Sequence, residues 1–235
     1  MPSRADVEAL RSANSGIRAL AVRDLEKFWS YVDLSKPEMA RNALLNYVPT
    51  LVDRYGEVAA TVAADWYEDV REAAGVRGAF VADMADLVAR ERVEASTRFG
   101  AGHLFTGDPE ATLGFLKSQV VSKYVLQPGR DTIARSAARD GAAWARVPTG
   151  AETCAFCLML ASRGFVYESE GSAGSRSRFH GDCDCAVVPD WSDDPRLDGY
   201  DPDALYAKYQ EARSASAGKS TSSVLSELRE QQGIN

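Results

Sequence analysis

The chain has 235 residues, enough for one large domain or two small ones, and its hydrophobic and charged fractions of 45% and 26% exclude wholesale disorder. The formal net charge is −7, and it is concentrated after residue 147, where 14 acidic side chains outnumber 8 basic ones. An acidic chain without a basic stripe is a poor candidate for binding DNA through its phosphates.

No run of apolar residues is long enough for a transmembrane helix, and the N-terminus lacks the apolar core of a signal peptide. We therefore expect the protein to be made and kept in a reducing cytosol. Clustered cysteines in that compartment more often hold a metal than form disulfides. Two disulfides from the four cysteines remain the alternative.

The first hundred residues are predicted to be helical. A first helix is expected over residues 3–33, capped by Ser3, and the run 35–38 (Ser-Lys-Pro-Glu) predicts the start of a second helix. Pro49 predicts a kink or break in that helix. A further helix is expected over about 80–99. The second helix carries an apolar stripe at helical spacing, formed by Leu44, Val48, Leu51, Tyr55, Val58, Val62 and Trp66.

Glycine and proline mark the junctions that follow. The glycine-rich stretch 100–109 predicts a loop, and Asp108 is expected to cap another helix. The pair 128–129 (Pro-Gly) is expected to stop that helix, and a short polar helix should cover 130–141. The pattern predicts that the chain then changes from long helices to short mixed elements.

The remaining residues are predicted to form small elements. A short helix is expected over 156–161, another over 205–213, and a linker over 214–223. The last dozen residues are expected to form a helix that is marginal alone and docks on a partner. Strands are predicted at 143–147, 165–167 and 186–188.

Long helices followed by a small mixed region predict an α+β protein. We place a helical N-terminal region at residues 1–105. A small mixed α/β domain with a few short strands and a Cys/His zinc cluster is placed at 106–200. A short helix, a linker and a tail occupy 201–235.

The stretch from 154 to 185 holds all four cysteines and one of the two histidines. Its spacing is Cys-x2-Cys, a gap of 22 residues, and then His-x2-Cys-x-Cys. Thiolates and an imidazole suit a tetrahedral zinc ion, and two short ligand pairs joined by a longer loop are typical of small structural zinc sites. The candidate ligands are Cys154, Cys157, His180, Cys183 and Cys185.

A tetrahedral zinc ion takes four of these five ligands. Cys183 and Cys185 would face opposite ways in an extended strand, so we expect only one of them to join Cys154, Cys157 and His180. Which of the two binds stays open. A closed site with four protein ligands is structural, and we predict that zinc fastens together a small domain. A redox role for Cys-x2-Cys would need a βαβ context, which this sequence does not supply.

The residues from 144 to 191 also carry a family resemblance. They contain, in order, WARVPTG, C-x2-C, MLA, RG, VY, FHGDCDC and PDW. This set resembles the Mu F-like minor head proteins of tailed phages, in their actinobacteriophage-like branch. The resemblance implies a structural protein that assists head assembly or DNA delivery, located in the virion interior and in the host cytoplasm during assembly. It implies the portal protein and the major capsid or scaffold protein as partners, indirect contact with packaged DNA, and neither a membrane nor a small-molecule substrate.

The alternative is an enzyme built on the same domain. Arg146 followed by Glu168 and Glu170 is similar to an ADP-ribosyltransferase pattern, but the spacing is short and an intervening strand motif is missing. We expect these residues to be surface charges at strand ends. A zinc-containing nuclease would need a second set of metal-binding residues, and His103 is alone in a glycine-rich loop. We therefore predict no catalysis.

Overall fold

The computed structural model describes residues 1–150, 153–167, 183, 185–218 and 220–234. These residues form an α+β fold that is mostly helical, as predicted, with one antiparallel sheet of two strands, β1 (Ala143–Val147) and β2 (Ala186–Asp190). None of the helices in these ranges is long and apolar enough to cross a membrane. The α-helices are α1 (Arg4–Trp29), α2 (Pro37–Ala73), α3 (Arg90–Gly100), α4 (Pro109–Phe115), α5 (Ser122–Asp140), α6 (Ala155–Ala161), α7 (Pro202–Ala215) and α8 (Thr221–Gln232).

The cap predicted for α1 is confirmed, but the helix is shorter than predicted. Ser3 Oγ accepts a hydrogen bond from Asp6 N at 3.2 Å, and the Asp6 carboxylate accepts one from Ser3 N at 2.7 Å. This reciprocal pair is a capping box. The helix ends at Trp29 because the next residues turn tightly, with Tyr31 N and Val32 N donating to carbonyls three residues back.

Two prolines that were expected to interrupt helices lie inside continuous ones. The helix α2 runs through Pro49, and α5 runs through Pro128. A Cβ added to Gly56 of α2 would lie 3.4 Å from Pro128 Cγ, so the proline ring fills a contact between α2 and α5. This packing offsets the helical hydrogen bond that proline cannot make. A π-helical turn at Leu116–Val121 joins α4 to α5.

The helix expected over 80–99 is confirmed only from Arg90 onward. The segment before it is irregular because its amides donate to side chains of α2 and α5 instead of to its own carbonyls. Such bonds offer the backbone an alternative to helix. The pairs are Ala82 N to Glu68 Oε1 (2.8 Å), Asp83 N to Ser136 Oγ (2.9 Å) and Ala85 N to Thr132 Oγ1 (3.0 Å).

Only two of the three predicted strands pair over several residues. The register of β1 and β2 places Ala145 opposite Val188. The expected strand at 165–167 is reduced to one bridge, in which Trp144 N donates to Tyr167 O at 3.0 Å and the two rings stack 4.4 Å apart. The bridge holds the segment after α6 against β1.

The described residues bury two main hydrophobic cores. The first lies among the helices and includes Leu25 and Leu44, although Val58 of the predicted stripe is 44% exposed. The second joins the start of α1 to the sheet and includes Val7 and Val187. The predicted domain boundaries at 105 and 200 stay predictions.

The terminal helix α8, which was expected to dock on a partner, packs against other helices of its own chain. Val224 and Leu228 are each 1% exposed and pack with Ala155 of α6 and Ala212 of α7. Ser220 Oγ accepts a hydrogen bond from Ser223 N and caps the helix. The apolar side of α8 is therefore already covered within the chain, and α6 is packed on both sides.

Gly129 lies where α5 crosses α2 closely, since an added Cβ would be 2.7 Å from the Ala59 carbonyl oxygen. We expect Gly129→Ala to lower the free energy of unfolding by about 1–3 kcal/mol through overpacking. Gly16→Ala in α1 is the matched control, because an added Cβ there meets nothing within 4 Å. It should stabilise the protein by about 0.5–1 kcal/mol. Urea unfolding measures the free energy of unfolding of both variants. Equal changes in Gly129→Ala and Gly16→Ala would contradict the close crossing of α2 and α5.

The packing of the C-terminal helix α8 can be tested at Leu228. Leu228→Ala removes most of a buried side chain from a small core, where such truncations cost about 2–5 kcal/mol. We expect the amides of Thr221–Gln232 to lose their protection from hydrogen exchange while those of α2 keep theirs. Tyr206→Ala is the control, because this α7 side chain is 49% exposed. Unchanged protection in Leu228→Ala would show that α8 is not held by this core.

Candidate metal centre

The four cysteines come from two segments that the fold brings together. Cys154 directly precedes α6, where its carbonyl accepts a hydrogen bond from Leu158 N at 3.0 Å, and Cys157 lies in the first turn of that helix. Cys183 and Cys185 come just before β2. Because β1 and β2 pair beside α6 in the second core, the two segments meet there.

Three thiols form a compact cluster. The sulfur atoms of Cys157, Cys183 and Cys185 all lie within 4.8 Å of one another, and those of Cys157 and Cys183 are 3.1 Å apart. Sulfur atoms that share a tetrahedral zinc ion at about 2.3 Å are about 3.8 Å apart, whereas a disulfide measures about 2.05 Å. All four cysteines are free thiols. The three clustered sulfurs are close enough together to bind one metal ion.

The expectation that Cys183 and Cys185 face opposite ways is wrong. It assumed a strand through both residues, but β2 begins only at Ala186. The chain before the strand is therefore free to turn both sulfurs toward Cys157. His180, the fifth candidate ligand, lies outside the described residues, as do Glu168 and Glu170. Whether His180 binds a metal stays a prediction.

The cluster is buried among large side chains. Cys157, Cys183 and Cys185 are all buried, while Cys154 is partly exposed. Trp144 and Tyr167 belong to the same core. A metal bound here would be shielded from bulk water on the side of these rings. Such shielding is typical of a structural site rather than one that keeps a position open for substrate.

Neighbouring groups favour ionisation of one thiol over another. Hydrogen bonds from Cys157 and then Cys185 lower the pKa of the Cys183 thiol, and the charge of Arg130 lowers it further. Hydrogen bonding with Cys154, then with Cys183 and Cys185, raises the pKa of Cys157. Of these two thiols, the neighbouring groups favour the thiolate of Cys183, and the thiolate is the form that binds a metal.

Two arginines, Arg130 and Arg146, lie beside the cluster, and neither position was predicted from the sequence. Arg146, expected at the surface, is 0% exposed on β1, and burial lowers its pKa while Cys157 and the other two clustered cysteines oppose that shift. Arg130 of α5 is 6% exposed and donates from Nη2 to the Cys183 carbonyl at 2.6 Å. Only the tertiary structure brings them to the cysteines. His103 is exposed in a 3-10 turn, Ala101–Thr106.

Removal of a clustered thiol tests the site. We expect the metal content to fall from about one ion per chain in the unchanged protein to almost none in Cys157→Ser, because a sulfur of the cluster is lost. Its melting temperature should also fall. Val166→Ser, at a 52% exposed position between α6 and β2, is the control and should keep its metal. The metal content is measured by elemental analysis after purification without chelator. Equal metal contents in Cys157→Ser and the unchanged protein would exclude Cys157 as a ligand.

Comparison with known proteins places the chain among phage proteins. The "Gene 15 protein" of Mycobacterium phage D29 is 38% identical over 20% of this chain and 27% of its own length. The "Gene 15 protein" of Mycobacterium phage L5 is 35% identical over 20% of this chain and 28% of its own length. The chain thus spans just over a quarter of the length of these curated relatives. No solved structure matches it.

The longer match is to a family. The family described as VG15 protein matches residues 1–212, which includes both cores and all four cysteines. The two relatives support a phage protein of the actinobacteriophage branch. Since the match takes in most of its length, the chain belongs to the VG15 protein family.

Proposed function

We propose that the protein is a Mu F-like minor capsid protein that helps to build the phage head by binding the portal and the major capsid or scaffold protein. Membership of a phage protein family supports a phage role. The observation that carries the finer proposal is that the described ends of the motif, around Trp144 and around Val187, converge in one buried core with the clustered cysteines. These parts of the motif therefore pack together and are not scattered surface residues.

We also propose that the cysteine cluster holds a structural zinc ion. The donor set fits, because three buried sulfurs lie within 4.8 Å of one another and zinc prefers thiolate and imidazole ligands. Bound there, the ion would fasten the segment before β2 to α6. In this way a small sheet of two strands, which is weak alone, would gain a cross-link.

Exposed apolar side chains at one end of the helices offer a surface for a partner. Arg41 of α2 lies over the Phe105 ring at 5.5 Å, which places the start of α2 beside the turn that follows α3. We call the exposed side chains Tyr31, Met39, Phe99 and Phe105, which lie within ten residues of Arg41 or Phe105 in the sequence, the bundle-end surface. Large exposed apolar groups that lie together are common where proteins associate. We propose that the portal or capsid protein contacts this surface.

The enzyme alternative draws no support from the described residues. An ADP-ribosyltransferase would use Arg146 to hold its substrate, yet this side chain is fully buried. The clustered thiols are buried in the second core, and Cys183 and Cys185 also line a cavity of about 150 Å³. We propose that the protein is not an enzyme.

Co-expression with the portal and major capsid proteins of a tailed phage tests the proposal. We expect the chain to co-sediment with portal or with assembled shells. Tyr31→Ser combined with Phe99→Ser should reduce co-sedimentation at least about tenfold, because each removed ring takes apolar contact area from the interface. Val166→Ser, exposed elsewhere, is the matched control. A chain that stays free while both partners assemble would contradict the capsid role.

A further inference from the structure

We propose that the metal centre has four thiolate ligands, Cys154, Cys157, Cys183 and Cys185, and that Arg130 and Arg146 balance its negative charge. This inference rests on the proposed metal site and specifies its ligands. It assigns both arginines a positioning and charge-balancing role and leaves His180 outside the ligand set.

The charge of the metal centre decides how many cations it needs nearby. A zinc ion with four thiolates carries a net charge of about −2, and one with three thiolates and a neutral imidazole about −1. Taking an uncompensated charge out of water is strongly unfavourable. A buried centre therefore needs nearby cations whose number matches its excess charge. The described part of the cluster has two such cations within reach.

Arg146 supplies the first positive charge. Its side chain is 0% exposed, and a guanidinium stays protonated in proteins. The strand register pairs Arg146 with Val187, only two residues after Cys185. Its charge acts on Cys157, Cys185 and Cys183. An apolar residue of similar length would fill this place in the core at lower cost if no anionic partner were present.

Arg130 supplies the second positive charge from a different element. It is 6% exposed, and its Nη2 donates to the Cys183 carbonyl at 2.6 Å. It also lines, together with Cys183 and Cys185, a cavity of about 150 Å³ beside the cluster. The side chain thus fixes the segment that carries two of the proposed ligands and at the same time brings a positive charge to it.

Cys154 completes the set of four. The Cys154 sulfur is not among the three that lie within 4.8 Å of one another, but its thiol is close enough to that of Cys157 to raise the pKa of Cys157. Because Cys154 directly precedes α6 and Cys157 lies in its first turn, the two sulfurs lie on one end of a short helix. Four thiolates on one zinc ion would carry a net charge that matches the two positive charges of Arg130 and Arg146.

X-ray absorption at the zinc edge on the unchanged full chain tests the ligand set directly. We expect four sulfur neighbours at about 2.3 Å. Three sulfurs and one nitrogen at about 2.0–2.1 Å would overturn the four-thiolate inference while leaving the metal site intact. A protein that contains no zinc would overturn the proposed metal site itself, so the two failures are distinguishable.

Variants test the charge balance through metal affinity in competition with a chelator. We expect Arg146→Met and Arg130→Met each to weaken zinc binding at least about tenfold, as removal of a buried compensating charge is worth more than the 1.4 kcal/mol that a tenfold change requires. His180→Ala should bind zinc as tightly as the unchanged protein, as should Arg90→Met, whose exposed pair with Glu94 is a control for loss of charge.

Unchanged affinity in both arginine variants, or weakened affinity in His180→Ala, would overturn the inference. If Arg146→Met does not fold, as judged by circular dichroism, then Arg130→Met and the absorption spectrum of the unchanged protein still decide between four sulfurs and three.

Discussion

The buried carboxylate of Asp140 ties the helices to the sheet. Its Oδ2 atom accepts hydrogen bonds from Arg71 Nε at 2.8 Å, Trp191 Nε1 at 2.7 Å and Tyr67 Oη at 3.2 Å. Two of these donors belong to α2 and the third follows β2, while Asp140 itself ends α5. Burial, with the nearby Asp140 charge, raises the pKa of Tyr67, which therefore stays a donor. This one acceptor thus joins α2, α5 and the residue that follows β2, and so helps to position the sheet.

The same arginine also organises the irregular segment beside it. Arg71 donates from its remaining nitrogens to the carbonyls of Val76, Arg77 and Gly78. Its guanidinium lies over the Phe80 ring, which itself packs against Tyr67. A charge paired and hydrogen-bonded this fully can be buried without a large desolvation penalty. The cysteine cluster thus shares the second core with the C-terminal parts of α2 and α5, and polar groups such as Asp140 and Arg71 hydrogen-bond beside that core.

Local signals in the sequence predicted much of this structure, whereas contacts between residues far apart in the sequence could not be predicted from it. The side chains of Ser3 and Asp108 cap helices as expected, because capping acts within a few residues. The α+β class and both paired strands were likewise predicted. Pro128 failed as a stop signal because packing on α2 sustains the helix. The cysteine spacing indicated the cluster, but Arg130 and Arg146 reach it only through the fold.

The division of α1 between two cores has a consequence for how the chain folds. Ile17 and Leu25 pack with helices that follow soon in sequence, whereas Val7 and Leu10 pack in a core that also contains Val187 and Tyr200. During synthesis the first part of α1 can pack on α2, where Trp66 Nε1 donates to the Asp6 carbonyl, but the β2 residues that complete its core emerge more than a hundred residues after α2. Contacts so distant in sequence are slow to form. The helical core can therefore be completed first during synthesis, and the core around the cysteines is completed later.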